Sequence, residues 1–248
     1  MRHLFTLLLL LLPVLARAGQ FADVEIYDRT DGRVLPVHEY RQRHYVAGEA
    51  RHEYELRVRN RSTRRLLAVT SVDGVNVVSG ETAAVGQRGY VIDPWSSVTI
   101  DGWRKSLDQV AKFYFTDLPD SYAARTQRPN DVGVIGVALF AEAPTRPDCC
   151  VEYERQRADT TVQSPNRQDR AEAKARPESS LGTGHGGRAS SPARYVEFER
   201  ASEMPDETLA IFYDSRRNLM AQGVLPRMRP VKDRPDPFPG SFVPDPEG

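Results

Sequence analysis

Cysteine is nearly absent from this chain, and its two copies, Cys149 and Cys150, are neighbours. Adjacent cysteines cannot tie distant parts of a fold together, so a disulfide framework is excluded. They are expected to be bystanders at a domain edge, with a strained vicinal disulfide as the redox alternative. Lysine is also scarce, confined to Lys105, Lys112, Lys174 and Lys232. Neither sign of charge dominates: 34 basic residues stand against 34 acidic ones. That balance argues against a nucleic-acid partner, which calls for a basic face. No serine occupies a nucleophile elbow and no cysteine has an evident histidine partner, so no catalytic residue is assigned.

The one long apolar run comes first. Arg2 and His3 precede Leu4 to Leu15, and Ala16-Arg17-Ala18 has the small-x-small pattern of a signal-peptidase site. The run is too short to cross a hydrocarbon layer of roughly 30 Å. Residues 1–18 are therefore expected to be a signal peptide cleaved after Ala18. The product is then periplasmic or secreted, with no transmembrane anchor.

From Val24 to Phe140 the sequence reads as short strands between turns. Tyr54, Leu56 and Val58 alternate with charged residues, the period of a strand with one wet face. Asp73-Gly74, between Leu67–Val72 and Val75–Val78, predicts a two-residue type I′ hairpin. Asp93-Pro94-Trp95-Ser96 has the composition of a type I turn. A helical turn is expected at 106–110, capped by Ser106, and a short helix through Ala124, capped by Asp120. Val132 to Phe140 is almost wholly apolar and reads as a strand buried on both faces. The fold class is all-β: a β-sandwich, Ig-like or jelly-roll-like, over 19–145. It lacks the paired cysteines of a true immunoglobulin domain.

Gln156 to Pro192 carry hardly a large apolar side chain, and residues 146–192 are expected to be a disordered linker. Its Leu181-Gly182-Thr183-Gly184-His185-Gly186-Gly187 run lacks the strand-then-helix context of a phosphate loop and reads as flexible. A ββα piece is expected over 193–225, with strands at 195–200 and 208–213 and a helix at 215–222 capped by Asp214 and stopped by Gly223. It is expected to pack on the sandwich, adding strands to an edge. The tail, 226–248, is proline-rich and expected to be disordered.

The blocks Gly89-Tyr90-Val91-Ile92-Asp93-Pro94 and Ile100-Asp101-Gly102-Trp103-Arg104 resemble an uncharacterised family of exported bacterial proteins. Val132 to Val137, Val72 to Val77 and Leu181 to Gly186 extend that resemblance. It implies no activity and carries no catalytic residue across.

Three groups of side chains invite chemistry. His38, His44 and His52 are close in sequence, but their spacing matches no metal motif, so no metal or cofactor is assigned. Asp73, Asp93 and Asp101 lie at turns, where an acid and base pair of a glycan hydrolase would need two carboxylates to converge; turn aspartates more often bond their own backbone. Tyr90, Trp95 and Tyr122 are the candidate ligand-binding residues, because flat aromatic faces stack on sugars. Trp103 is expected in the core. The expected role is non-catalytic, binding or structural, at the bacterial cell envelope, with an envelope glycan or envelope protein as partner. A self-assembling protein acting through its carboxy-terminal strands is the further alternative.

Overall fold

A computed structural model describes residues 20–144 and 180–226. The expected signal peptide, Cys149 and Cys150, the linker up to residue 179 and the tail beyond Pro226 lie outside the described residues.

Two seven-stranded sheets pack face to face. The first holds β1 (Ala22–Asp28), β2 (Arg33–Val34), β5 (Glu53–Asn60), β9 (Ser97–Ile100), β10 (Gly102–Arg104), β11 (Gln109–Asp117) and β13 (Leu181–Ser190). Its order is β10-β11-β5-β1-β2, with β13 on β11 and β9 on β5. The second holds β3 (Val37–Tyr40), β4 (Arg43–Gly48), β6 (Leu66–Val72), β7 (Val75–Asn76), β8 (Tyr90–Ile92), β12 (Val134–Ala141) and β14 (Glu207–Ser215). Its order is β3-β4-β14-β12-β6-β7, with β8 on β6. The two helices among the described residues are short, α1 (Tyr122–Arg125) and α2 (Arg216–Ala221). No helix there is long and apolar enough to cross a membrane.

The period-two text becomes burial directly. Ala22, Val24, Ile26 and Asp28 of β1 point inward, with the residues between them half-buried. Facing side chains such as Ile26, Leu56 and Phe113 from one sheet, and Leu66, Val72 and Leu139 from the other, close a single core. Asp73 and Gly74 take φ values of 53° and 71°, and Val72 pairs with Val75. This is the predicted hairpin turn, with both central residues left-handed. β12 is buried on both faces as read. Its outer side, with Leu67, Val69, Ala138 and Phe140, is covered by Phe198, and the Arg200 guanidinium lies 4.1 Å from the Phe140 ring centre.

Several expectations change. Val34 to Tyr40, after the Asp31-Gly32 turn, reads in the sequence as one strand, but β2 and β3 belong to different sheets, with Pro36 between them. Proline has no N–H to continue a ladder, so the chain crosses from sheet to sheet there. Residues 106–108 form a tight loop, not a helical turn, in which Ser106 Oγ accepts from the Asp108 and Gln109 N–H groups. Ser121, not Asp120, caps α1 through the Ala124 N–H, and Ser215, not Asp214, caps α2 through the Asn218 N–H. Trp95 has φ of 60° in the third position of its turn, which belongs to type II and not type I geometry.

The largest correction concerns the linker. Its last part is strand β13, antiparallel to β11 from Asp117↔Leu181 to Gln109↔Ser190. The glycines that removed any apolar period are what let this strand lie so close: a Cβ on Gly184 would stand 2.1 Å from Tyr114 Cζ. The carboxy-terminal segment is equally integral. β14 lies between β12 and β4, antiparallel to one and parallel to the other, so it is an interior strand and not an edge addition. Tyr195 to Glu199 form no strand, and Arg200 makes only an isolated bridge to Glu142.

Candidate functional site

Of the three expected ligand residues, Tyr122 lines a recess. The chain reaches it through a 3-10 turn over Leu118–Asp120, and Ser121 then caps α1 while the buried Ala123 anchors it. β13 runs alongside and presents His185, whose ring centre is 5.4 Å from that of Tyr122. Beneath both lies Trp103, only 3% exposed, with ring centres 4.9 Å from Tyr122 and 6.3 Å from His185. Trp103 is thus a core residue as expected, packed edge-on against Phe113. Its indole N–H is buried without a hydrogen-bond partner.

Asp120, Tyr122, Arg125, Thr126 and His185 line a recess of about 290 Å³. That is close to the lower bound of roughly 300 Å³ for small-molecule sites. Its chemistry is mixed: two flat rings, one guanidinium, one carboxylate and two hydroxyls, those of Tyr122 and Thr126. Desolvation beside the rings, and then the positive charges of Lys105, Arg125 and Arg188, hold the His185 pKa below its ordinary value. His185 is therefore a neutral ring at neutral pH, able to donate one hydrogen bond and accept another.

Tyr90 and Trp95 are placed elsewhere. The Tyr90 hydroxyl accepts a hydrogen bond from Arg104 Nε at 3.0 Å, and its ring packs against the core. Arg104 also donates to the Ser191 carbonyl at 2.8 Å, so Tyr90 belongs to a brace between the sheets. Trp95 is 61% exposed on the turn between β8 and β9. A bulky residue there in the left-handed region is uncommon.

The three turn aspartates separate. Asp93 pairs with Arg65 at 3.2 Å on the surface. Asp101 lies 3.8 Å from Arg29, which is also 3.7 Å from Glu55. Burial and then the Glu55 charge raise the Asp101 pKa. Asp73 is fully buried and bonds neither its own turn nor solvent: its Oδ1 accepts from the Gly133 N–H at 2.9 Å and the Tyr213 hydroxyl at 2.6 Å. Its Oδ2 accepts from the Thr183 N–H at 2.8 Å.

The histidines separate as well. His38 stands opposite Tyr45 and Glu39 opposite His44, which puts His38 and His44 on opposite faces of the hairpin. His52 bonds Asp28 instead, Nδ1 to Oδ2 at 2.8 Å, with Asp31 4.0 Å away. Among the described residues, Asp28, Asp31 and His52 are the group whose metal-ligand-type atoms come together.

Sequence reasoning weighed His185 only as part of a loop. The signal that finds it is alternation: the buried Thr183 with His185 two residues on, in text whose even positions are glycine. No family model, curated protein or solved structure matches the chain.

Proposed function

We propose that this protein is a non-catalytic binding module of the bacterial cell envelope, and that the recess between α1 and β13 holds one or two rings of an envelope glycan. The observation that carries the reading is the pairing of Tyr122 and His185 over the buried Trp103. Ring faces held rigid from below give a stacking platform at little entropic cost, and Asp120, Arg125 and Thr126 supply the polar groups that sugar hydroxyls require. The leader-like first eighteen residues and the resemblance to exported proteins support the location.

The test is titration of the protein, from Gly19 onward, with peptidoglycan fragments, lipopolysaccharide and a glycan array. Tyr122→Ala and His185→Ala are expected to weaken binding by roughly tenfold or more, about 1.4 kcal/mol, without lowering the melting temperature appreciably. Turnover of a glycan with no stable binding supports the hydrolase alternative. A monomer that becomes an oligomer only when residues 194–226 are intact supports self-assembly, in which case β14 must leave its place between β4 and β12.

A further inference from the structure

A second recess lies at the far edge of the other sheet. The β3–β4 hairpin turns at Arg41 and Gln42, with φ of 49° and 60°. Two consecutive left-handed residues give the type I′ geometry that normally selects Asn-Gly, and neither arginine nor glutamine is suited to it. Strain of this kind at an exposed tip is a mark of function when the side chains it displays have a use.

Here they do. Tyr40 and Arg43 are directly paired across the hairpin, and Tyr45 follows Arg43 on the same face. Tyr40, Arg41, Arg43, Tyr45, Gln222 and Val224 enclose about 460 Å³. The Arg41 guanidinium lies 5.0 Å from the Tyr40 ring centre, and that of Arg43 lies 5.5 Å from the Phe212 ring centre. Phe212 in turn contacts Tyr45, 5.6 Å between centres. No carboxylate lines the recess, and among the described residues none lies within 4.0 Å of either guanidinium. A further positive charge lies nearby: Arg216, at the start of α2, helps burial to lower the pKa of His38, the residue paired with Tyr45.

We propose that this recess is a second ligand site, which takes a flat ring bearing one oxyanion, phosphate or carboxylate. The geometry divides the work. Arg41 and Arg43, each able to present two parallel N–H donors, bind the oxyanion, while the faces of Tyr40 and Tyr45 and the Val224 side chain receive the ring. A neutral ring forgoes the charge-assisted bonds, and a bare anion forgoes the stacking. Both parts are needed for affinity.

Calorimetric titration of the chain from Gly19 onward with phenyl phosphate, inorganic phosphate and phenol tests this. Phenyl phosphate is expected to bind at one equivalent and at least tenfold more tightly than either fragment, weakening as salt rises. Arg41→Ala with Arg43→Ala is expected to cost at least tenfold, and Arg43→Lys to restore part of it. Tyr122→Ala is expected to leave this binding unchanged, which separates its outcome from that of the glycan recess. Because both arginines are exposed, a circular-dichroism melt matching the parent shows that the double variant is folded. Absence of saturable phenyl phosphate binding, equal affinity for inorganic phosphate, or full binding by the folded double variant overturns the proposal.

Discussion

The Asp73 carboxylate and the Thr183 backbone N–H meet at 2.8 Å, although 110 residues separate them in sequence. This contact is one link of a buried chain across the sandwich. The Tyr213 hydroxyl donates to Asp73 Oδ1, so its oxygen accepts from the Thr183 hydroxyl at 2.6 Å. The Thr183 oxygen then accepts from the Tyr54 hydroxyl, also at 2.6 Å. Every hydroxyl proton is used once. Tyr54 and Thr183 belong to the first sheet, Asp73 and Tyr213 to the second, so the chain fixes the two sheets in one relative position.

A pH dependence follows from that burial. Desolvation pushes the Asp73 pKa up to about 6, from 3.8, against the opposing bonds from Tyr213, Thr183 and Gly133. Between those two values the unfolded chain has lost a proton that the folded one keeps. Stability therefore falls as pH rises through this window, by about 3 kcal/mol in total, and the loss is complete above pH ~6. Urea midpoints at pH 4, 5, 6 and 7 check it against Asp73→Asn, which cannot ionise. Part of that loss falls below pH 4, so the difference between the two proteins is expected to change by about 2 kcal/mol between pH 4 and 7, and a constant difference refutes the assignment.

Gly102 makes a second prediction. A Cβ on this residue would stand 2.0 Å from the Ala111 carbonyl oxygen, a backbone atom of the partner strand. Neither side can move without breaking the β10–β11 ladder that carries Trp103. Gly102→Ala is expected to destabilise the fold by about 2 kcal/mol or more, read from the denaturant midpoint. Because Trp103 supports Tyr122 and His185, glycan binding is expected to weaken with it.

The parts of this fold that could be read from sequence are those set by neighbours along the chain. The alternation over Tyr54, Leu56 and Val58, and the Asp73-Gly74 turn, each depend on a few adjacent residues. β13 was hidden because glycine contributes no apolar period, and its place depends on Tyr114 and Ser121 accepting a strand without side chains. The segment Tyr195 to Arg200 misled in the opposite way: its alternation serves to lay Phe198 on the outer face of the second sheet, while Tyr195 remains 75% exposed. Local text also could not pair Asp73 with Thr183 and Tyr213, since proximity there is produced by topology alone.

The Asp28–His52 pair gives a second pH dependence, in which His52 acts in the same direction as Asp73 and Asp28 in the opposite one. The bond to Asp28 raises the His52 pKa above 6.5, opposed by partial burial and helped by the Asp28, Glu49 and Asp31 charges. Burial works to raise the Asp28 pKa, yet bonds from the Asp31 N–H, His52 and the Thr30 N–H leave it below 3.8. The His52 contribution is full below pH 6.5 and is lost as pH rises through its raised pKa. The Asp28 contribution is full above pH 3.8 and is lost as pH falls through its lowered one. His52→Gln is expected to remove the alkaline loss, an effect of up to about 1 kcal/mol given the partial exposure of the ring. Melting temperatures from pH 6 to 9 decide it: parallel curves for parent and variant reject the pair as a source of stability.

Trp95 separates stability from binding. Its left-handed backbone costs a side-chain-bearing residue about 1–2 kcal/mol, and the exposed indole recovers little of that through packing. Trp95→Gly relieves the strain, and the added freedom of the unfolded chain offsets part of the gain. The variant is expected to be as stable as the parent or up to about 1 kcal/mol more stable. If the ring is retained because it touches a glycan, the same variant binds lipopolysaccharide or peptidoglycan fragments more weakly while melting no lower. Denaturant midpoints and glycan titrations on one preparation give both numbers. A Trp95→Gly protein that binds every envelope component as the parent does removes Trp95 from the ligand surface and leaves Tyr122 and His185 as its aromatic part.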